Sequence, residues 1–235
     1  MMISDKFFEG ILWYLAFLLS TTLHEVSHGY TAMRLGDLTA YEGGHVTLDP
    51  IPHIRREPFG MVFVPLLSYY LGGWMVGWAS VPYSFAWSLQ YPRRSGLMAM
   101  AGPLANFFLV VIAAFAIRAG MIFHIFFAPQ SITFSHITAA TNAGIFSVIG
   151  TFLSILFSLN LLLFFFNLLP LPPLDGSGIV PLVLSTDHAQ KYLIFVRRSP
   201  LMILGLFLAW NLFGYIFPPI HLHCINLLYP ELQYH

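Results

Sequence analysis

Residues 10–33 read GILWYLAFLLSTTLHEVSHGYTAM. The run is mostly apolar and long enough to cross a hydrocarbon core, which takes about 20 residues of helix. Within it stand His24, Glu25 and His28. Ionisable groups at membrane depth cost free energy and are found where something uses them. One stretch therefore predicts both a membrane fold and the place of a functional site.

The rest of the chain agrees with a membrane setting. Of 235 residues, 57% are hydrophobic and 9% charged, and mean hydropathy is +0.75, which no ordinary soluble domain shows. Ten Lys and Arg balance ten Asp and Glu without forming a long basic run, which argues against nucleic acid as a partner. Cys224 is the sole cysteine, so neither an intrachain disulfide nor a CxxC site can form. The N-terminus does not read as a cleaved signal peptide, because the first apolar run is too long and carries the histidine pair.

Four further apolar segments follow, at about 59–89, 96–127, 143–169 and 200–217. Gly72-Gly73 and Pro82 interrupt the second, and clustered prolines from Pro170 to Pro173 must stop the fourth. Arg34, Arg55, Arg56, Arg93, Arg94, Lys191, Arg197 and Arg198 can share one face, cytoplasmic by the positive-inside tendency, with Lys6 and Arg118 opposite. That arrangement requires the second segment to enter and leave on one side. The expectation is an all-α polytopic membrane protein of four full spans plus a re-entrant element, both termini outside the cytoplasm. Six ordinary spans would preserve the same sidedness. Residues 1–235 are read as a single membrane-embedded domain, and weak alternation over 39–48 suggests a short interfacial β-hairpin after the first helix, with an edge that an extended peptide could join.

Positions i and i+4 share a helix face, so His24 and His28 can direct their imidazoles at one metal ion. Zinc held by three protein ligands keeps a place for water and lowers that water's pKa. Glu25, one step round the helix, would take the water proton and return it to the leaving amine. Polar residues gluing helices together are the plainer explanation, weak for two His and a Glu. Asp175 is the leading third ligand, placed between a proline-broken helix and the turn-permitting Gly176 and Gly178. A helix N-cap is an equally good reading of that residue.

The His-Glu-x-x-His motif, then Ala101-Gly102-Pro103-Leu104-Ala105-Asn106, then Asn167 through Pro170 to Leu174-Asp175-Gly176, resembles the site-2 protease family of intramembrane zinc metalloproteases. It is most similar to the compact prokaryotic branch without a PDZ domain; the connection at about 128–142 is too short for one. The resemblance implies Zn2+ held by His24, His28 and Asp175, with Glu25 as the catalytic base. It places Asn106 and Asn167 in supporting roles, steadying the peptide or the developing oxyanion, though each amide could simply bridge helices. Gly102 and Ala99 offer a small surface for packing against the histidine helix. A departure follows Pro52-His53, where this branch tends to carry Ile-Asp and this chain reads Ile54-Arg55-Arg56-Glu57. His45 and His53 are expected to serve the loop, and the remaining histidines, His221-Leu222-His223 included, lack convincing ligand spacing.

The function so implied is hydrolysis of peptide bonds in or near transmembrane segments of substrate proteins in a prokaryotic cell membrane, the site toward the cytoplasm. The partners are then transmembrane substrates, the lipid bilayer and, as an open alternative, a separate adaptor or regulator. A catalytically inactive zinc-binding scaffold is the alternative, disfavoured by the presence of Glu25. A membrane metallohydrolase of lipid or prenylated peptide is a third reading. The second segment, with Trp74 and Trp78, reads equally as a lateral gate or as fixed packing.

Overall fold

The computed structural model describes residues 3–235. Four helices in it are long and apolar enough to cross a membrane: α1 (Ile3–Leu35), α6 (Pro92–Ile122), α7 (Ile145–Asn167) and α10 (Ser199–Leu228). Short elements lie between them: α2 (Thr39–Glu42), α3 (Pro50–Arg56), α4 (Val64–Gly72), α5 (Phe85–Gln90), α8 (Asp175–Ile179) and α9 (Thr186–Val196). The protein is an all-α polytopic membrane protein. Its interior, around Trp13, Phe17, Ala113, Ile117, Ile155 and Leu159, is where α1, α6 and α7 meet.

Two polar contacts fix the ends of this bundle relative to each other. The Arg94 guanidinium donates to Leu35 O at 3.1 Å, joining the start of α6 to the end of α1. At the other end, Arg118 donates to Leu228 O at 3.2 Å, joining the end of α6 to the end of α10. The arginines assigned to opposite faces from charge placement thus mark opposite ends of one helix.

Residues 59–89 fold as a hairpin. A π-helical turn (Phe59–Phe63) leads into α4, and together the two run from Phe59 to Gly72. At about 1.5 Å per residue this limb is about 20 Å long, short of the roughly 30 Å core. Gly73, at φ +76°, reverses the chain with a left-handed turn that a glycine makes without strain. The extended return limb runs back beside the helix, and Trp78 N donates to Gly60 O at 3.1 Å. Such an approach needs glycine on both limbs: a Cβ on Gly60 would lie 2.3 Å from Trp78 O, and one on Gly77 would lie 2.2 Å from Gly60 O. The chain therefore doubles back on itself, the return limb lying against Gly60.

Two expectations are corrected. No β-hairpin follows the first helix, because Asp37 takes the chain into a helical turn instead. Its Oδ1 accepts from Thr39 N at 3.1 Å, and its Oδ2 accepts from Ser84 N at 2.7 Å, so a buried carboxylate satisfies the donors that a strand would have paired. The two-stranded sheet of the described residues lies between α6 and α7 and pairs β1 (Phe126–Phe127) with β2 (Ala139–Ala140). The last helix also continues past Phe217 through Pro218 and Pro219 to Leu228. His221 therefore lies on a helix, stacked against Phe217 and Phe134, with Ser158 Oγ 3.1 Å from its Nε2.

The hairpin has a direct test. In a Cys224→Ser background, single cysteines at Glu57, Ser84 and Arg34 should all label from one side of a sealed membrane, and one at His124 from the other. Labelling of Glu57→Cys and Ser84→Cys from opposite sides would exclude the hairpin.

Candidate metal centre

His24 and His28 lie one helical turn apart on α1 and face α6. Each imidazole is held through Nδ1. His24 Nδ1 is 2.6 Å from Asn106 Oδ1, and His28 Nδ1 is 2.7 Å from Met98 O. Both partners are acceptors, so each Nδ1 carries the proton and each Nε2 presents a lone pair. The two Nε2 atoms are 3.0 Å apart.

Asp175 completes a triangle. Its Oδ2 is 3.0 Å from His24 Nε2 and 3.3 Å from His28 Nε2. Ligands about 2.0–2.2 Å from a tetrahedral zinc stand roughly 3.3–3.6 Å from one another, so the three atoms are slightly closer than a bound ion would set them. In sequence Asp175 read equally well as a helix cap. In the structure it is the first residue of α8, Leu174 holds the capping position, and no side-chain cap bond forms. A Cβ on Gly176 would lie 2.3 Å from Leu169 O and 2.4 Å from Leu168 O, so this glycine lets Asp175 seat directly against the end of α7.

Three features fit a metal ion. Three acceptor atoms converge with no proton available between them in these tautomers, an arrangement that repels unless a cation intervenes. Asp175 Oδ2 is buried and has no hydrogen-bond donor among the described residues. A Cβ on Gly102 would lie 2.3 Å from His28 Nε2 and 2.6 Å from His24 Nε2, so the missing side chain keeps open the space that both lone pairs face.

Glu25 belongs to the same cluster, and His24, Glu25 and His28 are each 7% exposed. Glu25, His28 and Asp175 together line a cavity of about 290 Å³. Its facing wall includes the return limb at Ala79, Ser80, Val81 and Tyr83. Residues 79–83 make no main-chain hydrogen bond to other described residues.

Asn106 is wholly buried and committed to scaffolding. Its Nδ2 donates to Asn160 Oδ1 at 2.8 Å and to Ser20 O at 3.4 Å, which turns its Oδ1 toward His24. No amide proton remains for an oxyanion, so the contribution visible in this geometry is to orient His24. Asn160 in turn donates to Ser20 Oγ and Leu156 O, each at 2.8 Å. Asn160 and Ser20 were not anticipated from sequence, where each is a lone polar residue in an apolar helix. Asn167 ends α7, half-buried, without a side-chain hydrogen bond among the described residues. Ala99, expected against the histidine helix, also approaches α8: a Cβ on Gly178 would lie 2.8 Å from the Ala99 Cβ. His53 is fully buried and bonds Thr47 O at 3.1 Å, with the His45 ring 5.9 Å away. Burial, Arg56 and His53 all push the His45 imidazole below its ordinary value, and neither histidine lines the cavity beside Glu25.

Residues 12–206 match the family described as Peptidase family M50. This chain belongs to that family. It is 36% identical over 165 residues to "Putative zinc metalloprotease YwhC" of Bacillus subtilis (strain 168), a match covering 69% of this chain and 64% of that protein. It is 32% identical over 206 residues to "Putative zinc metalloprotease Rip2" of Mycobacterium tuberculosis (strain ATCC 25618 / H37Rv), covering 87% and 69%. Rip2 of Mycolicibacterium smegmatis (strain ATCC 700084 / mc(2)155) is 32% identical over 168 residues, covering 72% and 55%. The chain thus spans just under two thirds of the first of these relatives. No solved structure matches it. The resemblance to site-2 proteases drawn from three ordered motifs agrees with this family.

Outer-sphere partners of this kind typically change metal affinity 10–100-fold. Asn106→Leu should weaken zinc binding by about that factor in an equilibrium chelator competition. Gly102→Val, which fills the space before both Nε2 atoms, should abolish binding while circular dichroism still reports a helical protein.

Proposed function

We propose that this chain is an intramembrane zinc metalloprotease that hydrolyses peptide bonds in or near transmembrane segments of substrate proteins. The observation that carries the reading is the convergence of His24 Nε2, His28 Nε2 and Asp175 Oδ2, with Glu25 beside them on the wall of one cavity. His24, His28 and Asp175 would hold the ion. Zinc, when bound, supplies Lewis acidity that makes water a nucleophile near neutral pH.

The chain's own groups do the rest. Asn106 and Met98 O hold the two imidazoles in the tautomer that exposes Nε2. Glu25 takes a proton from the attacking water and delivers it to the departing amine nitrogen, so it ends the cycle as it began. A substrate helix must first release its own hydrogen bonds, because a carbonyl engaged in a helix cannot present itself for attack. Residues 79–83 offer unpaired main chain along the cavity wall, to which an extended substrate can bond as an added strand. The same limb, at Gly72 to Gly77, also borders an aromatic cavity of about 1150 Å³. There Trp74 lies parallel to Trp210 of α10, ring centres 6.2 Å apart, and a membrane-embedded part of the substrate has room.

The site sits toward the end of α1 where Arg34, Arg94 and the arginines of the short helices gather, which supports a cytoplasmic-side active site in a prokaryotic cell membrane. We read residues 1–235 as one membrane-embedded catalytic domain, and a separate adaptor could add substrate choice.

In proteoliposomes carrying transmembrane substrates, Glu25→Gln should retain zinc and lose cleavage by at least 10²–10⁴-fold. Asp175→Ala should lose both. Undiminished cleavage by Glu25→Gln would exclude the mechanism, and zinc binding without any Glu25-dependent cleavage would favour a scaffold.

A further inference from the structure

The cavity beside Glu25 has one charged group that the chemistry does not use. Arg197, the residue that follows α9, lines it together with Phe85. The Arg197 guanidinium carbon stands 4.1 Å from the centre of the Phe85 ring, a cation–π contact that holds the head group in place at the wall. Among the described residues no carboxylate pairs with it, and its donors make no hydrogen bond. Of the hydroxyls lining the cavity, Ser80 donates to Glu57, Ser88 to Ser84 O and Ser177 to Leu174 O. Arg198, by contrast, lies over Phe195 and does not reach the cavity.

A planar guanidinium with unspent donors matches a carboxylate, which it binds through two parallel hydrogen bonds. A cavity of about 290 Å³ is roughly 8 Å across if taken as a sphere. An extended peptide advances about 3.3 Å per residue, so a group at the wall lies within about three residues of the bond presented to Glu25.

We infer that Arg197 is a substrate-reading residue that binds the side-chain carboxylate of an Asp or Glu within about three residues of the scissile bond. This rests on the protease reading above and adds a substrate class to it. Arg197 takes no part in bond cleavage. It contributes through binding, favouring substrates whose acidic residue follows or precedes the cut.

The test uses the full chain, zinc-loaded, in phosphatidylcholine vesicles, with a synthetic transmembrane peptide whose cut bond is located by mass spectrometry. At each of three positions on either side of that bond, Asp is compared with Asn. Native protein should favour Asp at one or two positions by about tenfold in kcat/KM, the size of one charge-assisted hydrogen bond. Arg197→Gln should level Asp and Asn there, and Arg197→Glu should favour Lys instead. Binding of the same peptides to Glu25→Gln protein, which needs no turnover, should show the same preference and lose it when Arg197→Gln is added. Zinc content of each Arg197 variant reports an intact site.

Absence of an Asp preference in native protein, or its survival in Arg197→Gln, overturns the assignment. So does an Arg197→Gln defect seen only in phosphatidylglycerol vesicles, which would assign the guanidinium to lipid headgroups. In each of these cases, cleavage that depends on Glu25 leaves the protease reading standing.

Discussion

Three lone pairs face one another in a site largely shut from solvent, and the fold has to hold them there. His24 Nε2, His28 Nε2 and Asp175 Oδ2 lie 3.0–3.3 Å apart. Without a positive charge among them this arrangement costs free energy, and the low dielectric of a membrane protein's interior raises the cost. The structure meets it by fixing each donor atom from behind. Met98 O and Asn106 Oδ1 hold the imidazoles, and the Gly176 backbone lets α8 seat Asp175 against the end of α7. The network of Asn106, Asn160 and Ser20 ties the three spanning helices α6, α7 and α1 together immediately behind His24.

Much of this was legible in the sequence because the membrane restricts the options. Spans announce themselves by length and hydropathy, and α1, α6, α7 and α10 fall where the apolar segments stand. Charge placement required the second segment to leave on the side it entered, and the chain there doubles back on itself, Trp78 N meeting Gly60 O. What the sequence hid were choices made by single contacts. Alternation at 39–48 suggested a strand, but the Asp37 carboxylate draws in both Thr39 N and Ser84 N, and Ser84 is 47 residues away. The last apolar segment was bounded at about 217, yet its helix runs on through Pro218 and Pro219.

The metal centre shows the same division. His24, Glu25 and His28 are local in sequence, and helix periodicity places them together. Asp175 was nominated by its motif, while its freedom from capping could be seen only once Leu174 took the cap position. Asn106 was read either as steadying a developing oxyanion or as bridging helices, and with both donors taken by Asn160 and Ser20 it makes the bridge. Asn160 itself sits seven residues before Asn167, two turns along one face of α7. Nothing in an apolar helix tells which of two such amides will meet a partner 54 residues upstream.

Met98, Gly102 and Asn106 stand four residues apart along one stripe of α6, and each answers a different demand of the histidine pair: a carbonyl, a gap and an amide oxygen. Were α6 to slide one turn along α1, the Met98 side chain or the Asn106 amide would occupy the gap. No intermediate alignment serves, so the two helices have one working register and every other is blind to metal. Under the function proposed above, occupancy of the centre thereby becomes a gauge of correct assembly, so that a chain inserted with its helices mispaired would lack the means of cutting its neighbours.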